Sequence, residues 1–137
     1  MSDPYVPLVS AVVAALLADT TLAGLVDGRV YGALPTGDAP TMPYVNIAAY
    51  QSLDAGTGCT DETEAFLDID VWTREGGRQR AGLIHAAIRS ALHLAALDLG
   101  VSQVLVEITY RDGRIFADPD GRTTHGVLTF RALTETP

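Results

Sequence analysis

Residues 62–96 read ETEAFLDIDVWTREGGRQRAGLIHAAIRSALHLAA, and the period of the pattern changes half-way along. From Phe66 to Trp72, the apolar residues Leu67, Ile69 and Val71 alternate with Phe66, Asp68, Asp70 and Trp72. A period of two predicts a strand with one apolar face. From about Arg78 the spacing becomes helical: Ile84, Ala87, Ile88, Ala91, Leu92 and Ala95 form one apolar stripe. Arg78, Arg80, His85, Arg89 and His93 fall off that stripe, toward water. Gly76 and Gly77 separate the two patterns and let the chain turn. The stretch therefore predicts a strand that runs into a long amphipathic helix packed back on its own sheet.

Upstream, Pro7 suits the first turn of a helix, where its missing N–H costs nothing. That helix runs to about Ala18 and buries Leu8, Val12, Ala15 and Leu16. Asp19, Thr20 and Thr21 offer an N-cap for a short helical turn over Leu22 to Val26, closed by Asp27-Gly28. Arg29 to Ala33 is a short strand. Leu34 to Thr41, with Pro35, Gly37 and Pro40, is a loop. Pro43 opens a strand over Tyr44 to Gln51, a position where proline is tolerated. Leu53 to Thr63 has two glycines and no periodicity, which predicts a long hairpin loop or a mobile one. Downstream, Ser102 to Tyr110 alternates Val104, Val106 and Ile108 against Leu105, Glu107 and Thr109. Asp112-Gly113 reads as a turn or bulge, and Ile115 to Ala117 resumes extended structure. Asp118 to Gly121 is a turn, Thr123 to Leu133 the last strand, and Thr134 to Pro137 a frayed tail. The sum is one α+β domain over residues 1–137. It has an antiparallel or mixed sheet of four to five strands with two helices on one face.

At 137 residues the chain is long enough for a full core without disulfides or metals. With 47% hydrophobic and 19% charged residues, wholesale disorder is excluded. The longest weakly polar run, Leu8 to Ala18, is too short to span a bilayer, so no membrane partner is expected. A single cysteine, Cys59, rules out an internal disulfide, and a reducing cytoplasm is the default compartment. A net charge of −8 argues against a protein that wraps the DNA backbone, where affinity comes from neutralised phosphates. It does not exclude a surface past which DNA slides.

Catalytic constellations are thin. Asp68 and Asp70 share one strand face and could serve as a metal pair or an acid/base pair, as in a small metal-dependent hydrolase. The plainer reading is two exposed positions on a half-buried strand. The neighbouring Phe66 and Trp72 favour a protein interface over a catalytic site. His85 and His93 are eight apart, whereas two metal ligands on one helix stand four apart in HExxH. His125 lies beside a glycine with no partner legible in the sequence. Carboxylates next to Cys59, at Asp61 and Glu62, work against the thiolate that a nucleophile needs. No glycine pattern matches a phosphate-binding fingerprint. The residues alone give no catalytic, cofactor-binding or metal site, and no cofactor. A small-molecule binding module stays open.

The order of the pieces carries a resemblance. A leading helix is followed by GRVYGALP, MPYVNI, EAFLDIDVWTREGG, a helix ending in SALH, and DPDGRTTHGVLTFRA. Taken together, VWT-x-x-G-G before the helix and the final HGVLTFRA strand resemble the small tail-completion proteins of long-tailed phages and phage-derived particles. These are also called tail terminators or head-to-tail joining proteins. The resemblance covers about Leu8 to Ala132. It implies a structural, non-enzymatic virion component, made in the host cytoplasm. Its expected form is a homohexameric ring on the head-proximal end of the tail tube. Its partners would be the tail-tube protein, the head-completion or connector protein, and DNA passing through the lumen. A tail-tube or head-completion adaptor role in the same machine is the alternative. On this reading Phe66, Asp68, Asp70 and Trp72, with Asp54, Asp61 and Glu62 of the 53–63 loop, are the assembly-interface candidates.

Overall fold

The computed structural model describes residues 3–137, which form three helices and five strands. In chain order these are α1 (Tyr5–Ala18), α2 (Thr20–Val26), β1 (Val30–Tyr31), β2 (Tyr44–Asp54), β3 (Glu62–Thr73), α3 (Gly77–Leu92), β4 (Val104–Ala117) and β5 (Thr124–Glu135). The strands make one sheet in the order β1-β2-β3-β5-β4. β1 runs parallel to β2 and every other pair is antiparallel, so the sheet is mixed. The α+β expectation holds.

Period-two alternation in β3 and β5 sets the layers. Leu67, Ile69 and Val71 of β3, and Leu128, Phe130 and Ala132 of β5, are fully buried beneath the helices. Their alternation partners stay half-exposed on the opposite, outer face. From above, α1 contributes Leu8, Val12 and Leu16, and α3 contributes Ile84, Ile88 and Leu92, all at 0% exposure. Each such side chain contributes on the order of 1.5–3 kcal/mol through the apolar area it removes from water. No single helix among the described residues is long and apolar enough to cross a membrane.

Local chemistry fixes the joints. Asp19 caps α2 by accepting the Leu22 N–H at 2.9 Å, and Asp27 closes the helix in the left-handed region at φ 53°. Gly76 and Gly77 both have positive φ, 79° and 52°, which turns β3 sharply into α3. A β-carbon at Gly76 would sit 2.9 Å from the Arg80 side chain, so the turn demands glycine twice over.

Several boundaries differ from expectation. α1 starts at Tyr5, ahead of Pro7, and α3 stops at Leu92, where His93 turns extended. The 53–63 segment is strand at both ends, at residues 53–54 and 62–63, which leaves seven connecting residues, 55–61. These form an ordered hairpin: Ala55 N–H donates to Glu62 O at 2.9 Å and Thr57 N–H to Thr60 O at 3.0 Å. β5 extends through Thr134 and Glu135 and is not frayed there. Thr134 is fully buried, and its pairing with Thr63 and Leu105 continues the ladder. β4 is continuous from Val104 to Ala117 but carries two bulges, between Leu105 and Glu107 and between Tyr110 and Asp112. Each bulge shifts the alternation by one. Hence Leu105, Ile108 and Tyr110 pair with inward-facing positions of β5, while Val104 and Val106 are exposed at 49% and 51%.

Candidate assembly interface

Among the described residues no helix covers the outer face of the sheet, and side-chain pairing across strands organises it. Register places Trp72 between Tyr44 and His125, and His125 beside Phe116. With Tyr31 of β1, these five rings make an aromatic row that crosses all five strands. Ring centroids are 6.1 Å apart for Tyr31–Tyr44, 6.5 Å for Tyr44–Trp72, 3.8 Å for Trp72–His125 and 4.9 Å for His125–Phe116. The Trp72–His125 pair lies nearly flat, with 12° between planes. Asp70 sits beneath the row, with Oδ1 3.1 Å from His125 Nε2 but out of hydrogen-bond alignment. Burial, then the Asp70 charge and Tyr31, hold the Tyr44 hydroxyl above its usual range.

Two further rows continue down the face. Thr129 Oγ1 donates to Asp68 Oδ1 at 2.7 Å. Arg131 Nε donates to Glu64 Oε2, and its Nη1 lies 3.6 Å from Glu107 Oε1. The Arg111 guanidinium lies 5.6 Å from the Phe66 ring centroid. Beside Phe66 and Asp68 is a shallow hollow of about 280 Å³, lined also by Ala49, Tyr50, Gln51 and Thr129. A larger cleft of about 520 Å³ lies elsewhere, between residues 39–43 and the Arg74, Glu75 and Arg80 turn.

The seven candidate residues thus divide into two groups. Phe66, Asp68, Asp70 and Trp72 share the outer face as expected. Asp54, Asp61 and Glu62 lie at the β2–β3 hairpin, with Asp54 Oδ1 accepting the Gly56 N–H at 2.8 Å. Glu62 and Trp72 are ten residues apart on one strand, roughly 33 Å, so the hairpin acids and Trp72 lie at opposite ends of the sheet, with Phe66, Asp68 and Asp70 spaced between them. Asp68 and Asp70 do not converge on a shared centre: one is bonded to Thr129 and the other lies against His125. Among the described residues no group of three or more His, Cys, Asp or Glu side chains is placed to hold a metal ion.

His125 has a partner after all, and strand register, which residue spacing alone does not reveal, supplies it. His85 is also less exposed than its helical position implies. Its Nε2 lies 3.1 Å from the Tyr110 hydroxyl, and its ring occupies the space above Gly113. Burial, and secondarily the Arg89 charge, hold the His85 pKa below its ordinary value. Arg89 lies 4.1 Å from the Tyr110 ring centroid, and His93 Nδ1 accepts the Tyr110 N–H at 3.1 Å. Arg80 also turns inward, with Nη2 donating to Leu25 O at 3.0 Å.

The family model described as "Tail completion protein gp17" matches residues 10–135. The chain belongs to this tail-completion family. It is also similar to a chain in the solved "Virion of native gene transfer agent (GTA) particle", at 30% identity and a TM-score of 0.84. That match covers 93% of this chain and 94% of the other. The bacteriophage SPP1 gp17 structure shares the fold at 24% identity and a TM-score of 0.56, covering 90% and 85%. Among curated proteins the comparison finds no match. Family membership makes this tail-completion protein a structural component of a virion tail, and it points away from catalysis.

Proposed function

We propose that this tail-completion protein is the terminator of its tail. In this reading it forms a hexameric ring on the head-proximal end of the tail tube, stops tube growth and presents the surface that docks on the head-completion connector. The observation that carries the reading is the tail-completion family match over residues 10–135, joined to the extent of the likeness to a chain of the gene-transfer-agent virion. More than nine-tenths of each chain superposes, which leaves little of this chain for a separate role. We treat residues 1–137 as one domain. The outer sheet face around Phe66, Asp68, Asp70 and Trp72, and the hairpin with Asp54, Asp61 and Glu62, are the two surfaces offered for assembly.

Charge supports passage of DNA. Seventeen acids against nine arginines give a subunit that repels phosphate, so a lumen lined by acids would let the genome pass without adhering. The test is to add the purified protein to its polymerising tail-tube protein and measure tube length by electron microscopy. The terminator reading predicts that growth stops and that one end of each tube carries a ring. Tubes of unchanged length with bare ends would refute it.

A further inference from the structure

We propose that copies of this chain join head to tail through the two opposite edges of the sheet, β2 of one copy facing β4 of the next. The proposal rests on the ring reading and specifies its subunit contact.

The two edges are built differently. β1 covers only Val45 and Asn46, so β2 beyond them is unpaired on its outer side. That open edge is flanked by the start of α1: the Tyr5 ring packs 4.8 Å from Tyr50, and Asp3 accepts the Tyr50 hydroxyl at 3.1 Å. Exposed apolar residues lie on both sides of it, Tyr5 at 43% and Val6 at 68% at the start of α1 and Leu53 at 44% on the outer face. On the far edge, the segment after α3 closes the middle of β4. Leu94 N–H donates to Ile108 O at 2.8 Å, and His93 Nδ1 takes the Tyr110 N–H. Leu94 does this in the left-handed region at φ 60°, an unfavourable backbone for a leucine. With its centre closed and two bulges, β4 is protected against strand addition, so contact there is made by side chains. Apolar side chains are exposed there, Val104 at 49% and Val106 at 51%, with Leu94 at 65% on the closing segment.

Register puts Leu53 of one edge and Val106 of the other at one level. Leu53, Glu64, Leu133 and Glu107 form a single row across the sheet, and Val106 is the bulged residue next to Glu107. Charge is uneven between the two halves of the sheet. Residues 30–73, which build β1, β2 and β3, hold seven acids and no arginine. Residues 74–137, which build α3, β4 and β5, hold eight arginines against seven acids, a balance of +1. Two acidic halves repel each other, so charge disfavours a contact between two β2 edges and leaves the head-to-tail contact, acidic half against near-neutral half, as the better one. A heterologous contact of that kind closes into a ring.

The test uses two full-length variants, Leu53→Asp to spoil the β2 edge and Val106→Asp to spoil the β4 edge. Both sites are exposed, and circular dichroism and thermal unfolding confirm that each variant folds. Native mass spectrometry is run under conditions where the parent assembles. Each variant alone is expected to lose every species above monomer. An equimolar mixture is expected to regain dimers and nothing larger, because one intact pair of edges remains between unlike copies. The edge contact is overturned if either variant assembles like the parent, or if the mixture gives only monomers or full rings. A parent that never assembles, alone or with tail tubes, removes the ring reading itself and this contact with it.

Discussion

Replacing Gly113 by alanine should destabilise the protein, although the backbone there accepts any residue. Gly113 does not lie at positive φ, so the reduced freedom of the unfolded chain would by itself favour alanine by roughly 0.4–1 kcal/mol. Space decides otherwise. A β-carbon at Gly113 would lie 2.2 Å from His85 Cε1, 2.6 Å from His85 Nε2 and 2.5 Å from the Tyr110 hydroxyl. Ordinary contact needs at least 3.4 Å, so the imidazole must retreat by more than an ångström. It is held by the Tyr110 hydroxyl on one side and by a helix anchored through Ile84 and Ile88 on the other. Overpacking of this kind costs about 1–3 kcal/mol. Loss of the His85–Tyr110 bond adds about 1 kcal/mol. After the entropic gain, a net loss of about 2–3 kcal/mol remains, a fall in Tm of roughly 10 °C for a domain of this length. Thermal and urea unfolding of the parent, Gly113→Ala, His85→Ala and the double variant measure it. In the His85→Ala background the Gly113→Ala cost should shrink by at least about 1 kcal/mol, since the ring it collides with is gone. Equal or greater stability of Gly113→Ala, or a cost unchanged when His85 is removed, would refute the packing argument.

His85 also gives a pH dependence. Its folded pKa lies below the usual 6.5, so the unfolded chain binds more protons between the two values and stability must fall as pH drops below about 6.5. Urea midpoints from pH 8 to 5 should show this decline in the parent and a flatter profile in His85→Phe. Asp120 accepts the Arg122 and Thr123 N–H groups and the Thr123 hydroxyl, and its pKa is held down to about 2. Its contribution is present above pH 3.8 and lost as pH falls through about 2. The Tm gap between parent and Asp120→Ala should therefore be widest near pH 5 and narrow toward pH 2. Phe130 is fully buried between the helices and the sheet, and Phe130→Ala should cost about 3–5 kcal/mol in chemical denaturation. Thr129→Val removes the hydroxyl that bonds Asp68 and should cost no more than about 1.5 kcal/mol, read in the same experiment.

The layered fold was legible in residues 62–96 because two different periods, two and 3.6, meet at Gly76-Gly77, and each has a single structural reading. What escaped depended on pairing rather than on local pattern. The bulge at Val106 breaks the alternation of β4 at a point that only its match to β5 defines, whereas the one at Arg111 adjoins Asp112-Gly113, where the sequence signals a turn or bulge. The strand character of Thr134 and Glu135 comes from partners at residues 62, 63, 104 and 105, far away in sequence. For the same reason His125 read as solitary, although register sets it against Trp72 and Asp70. The candidate interface was half legible. Aromatics alternating with acids marked the outer face, whereas the separation of Glu62 from Trp72 to opposite ends of the sheet required the strand to be drawn at its full length. The family resemblance rested on the order of segments, which a chain preserves even where single contacts do not show.

The account stands most directly on assembly state. Native mass spectrometry of the purified protein, alone and mixed with its tail-tube protein, reads it without further assumption. A hexamer, free or bound to tube ends, is the predicted result. A chain that stays monomeric at all concentrations and ignores the tube would contradict the terminator reading.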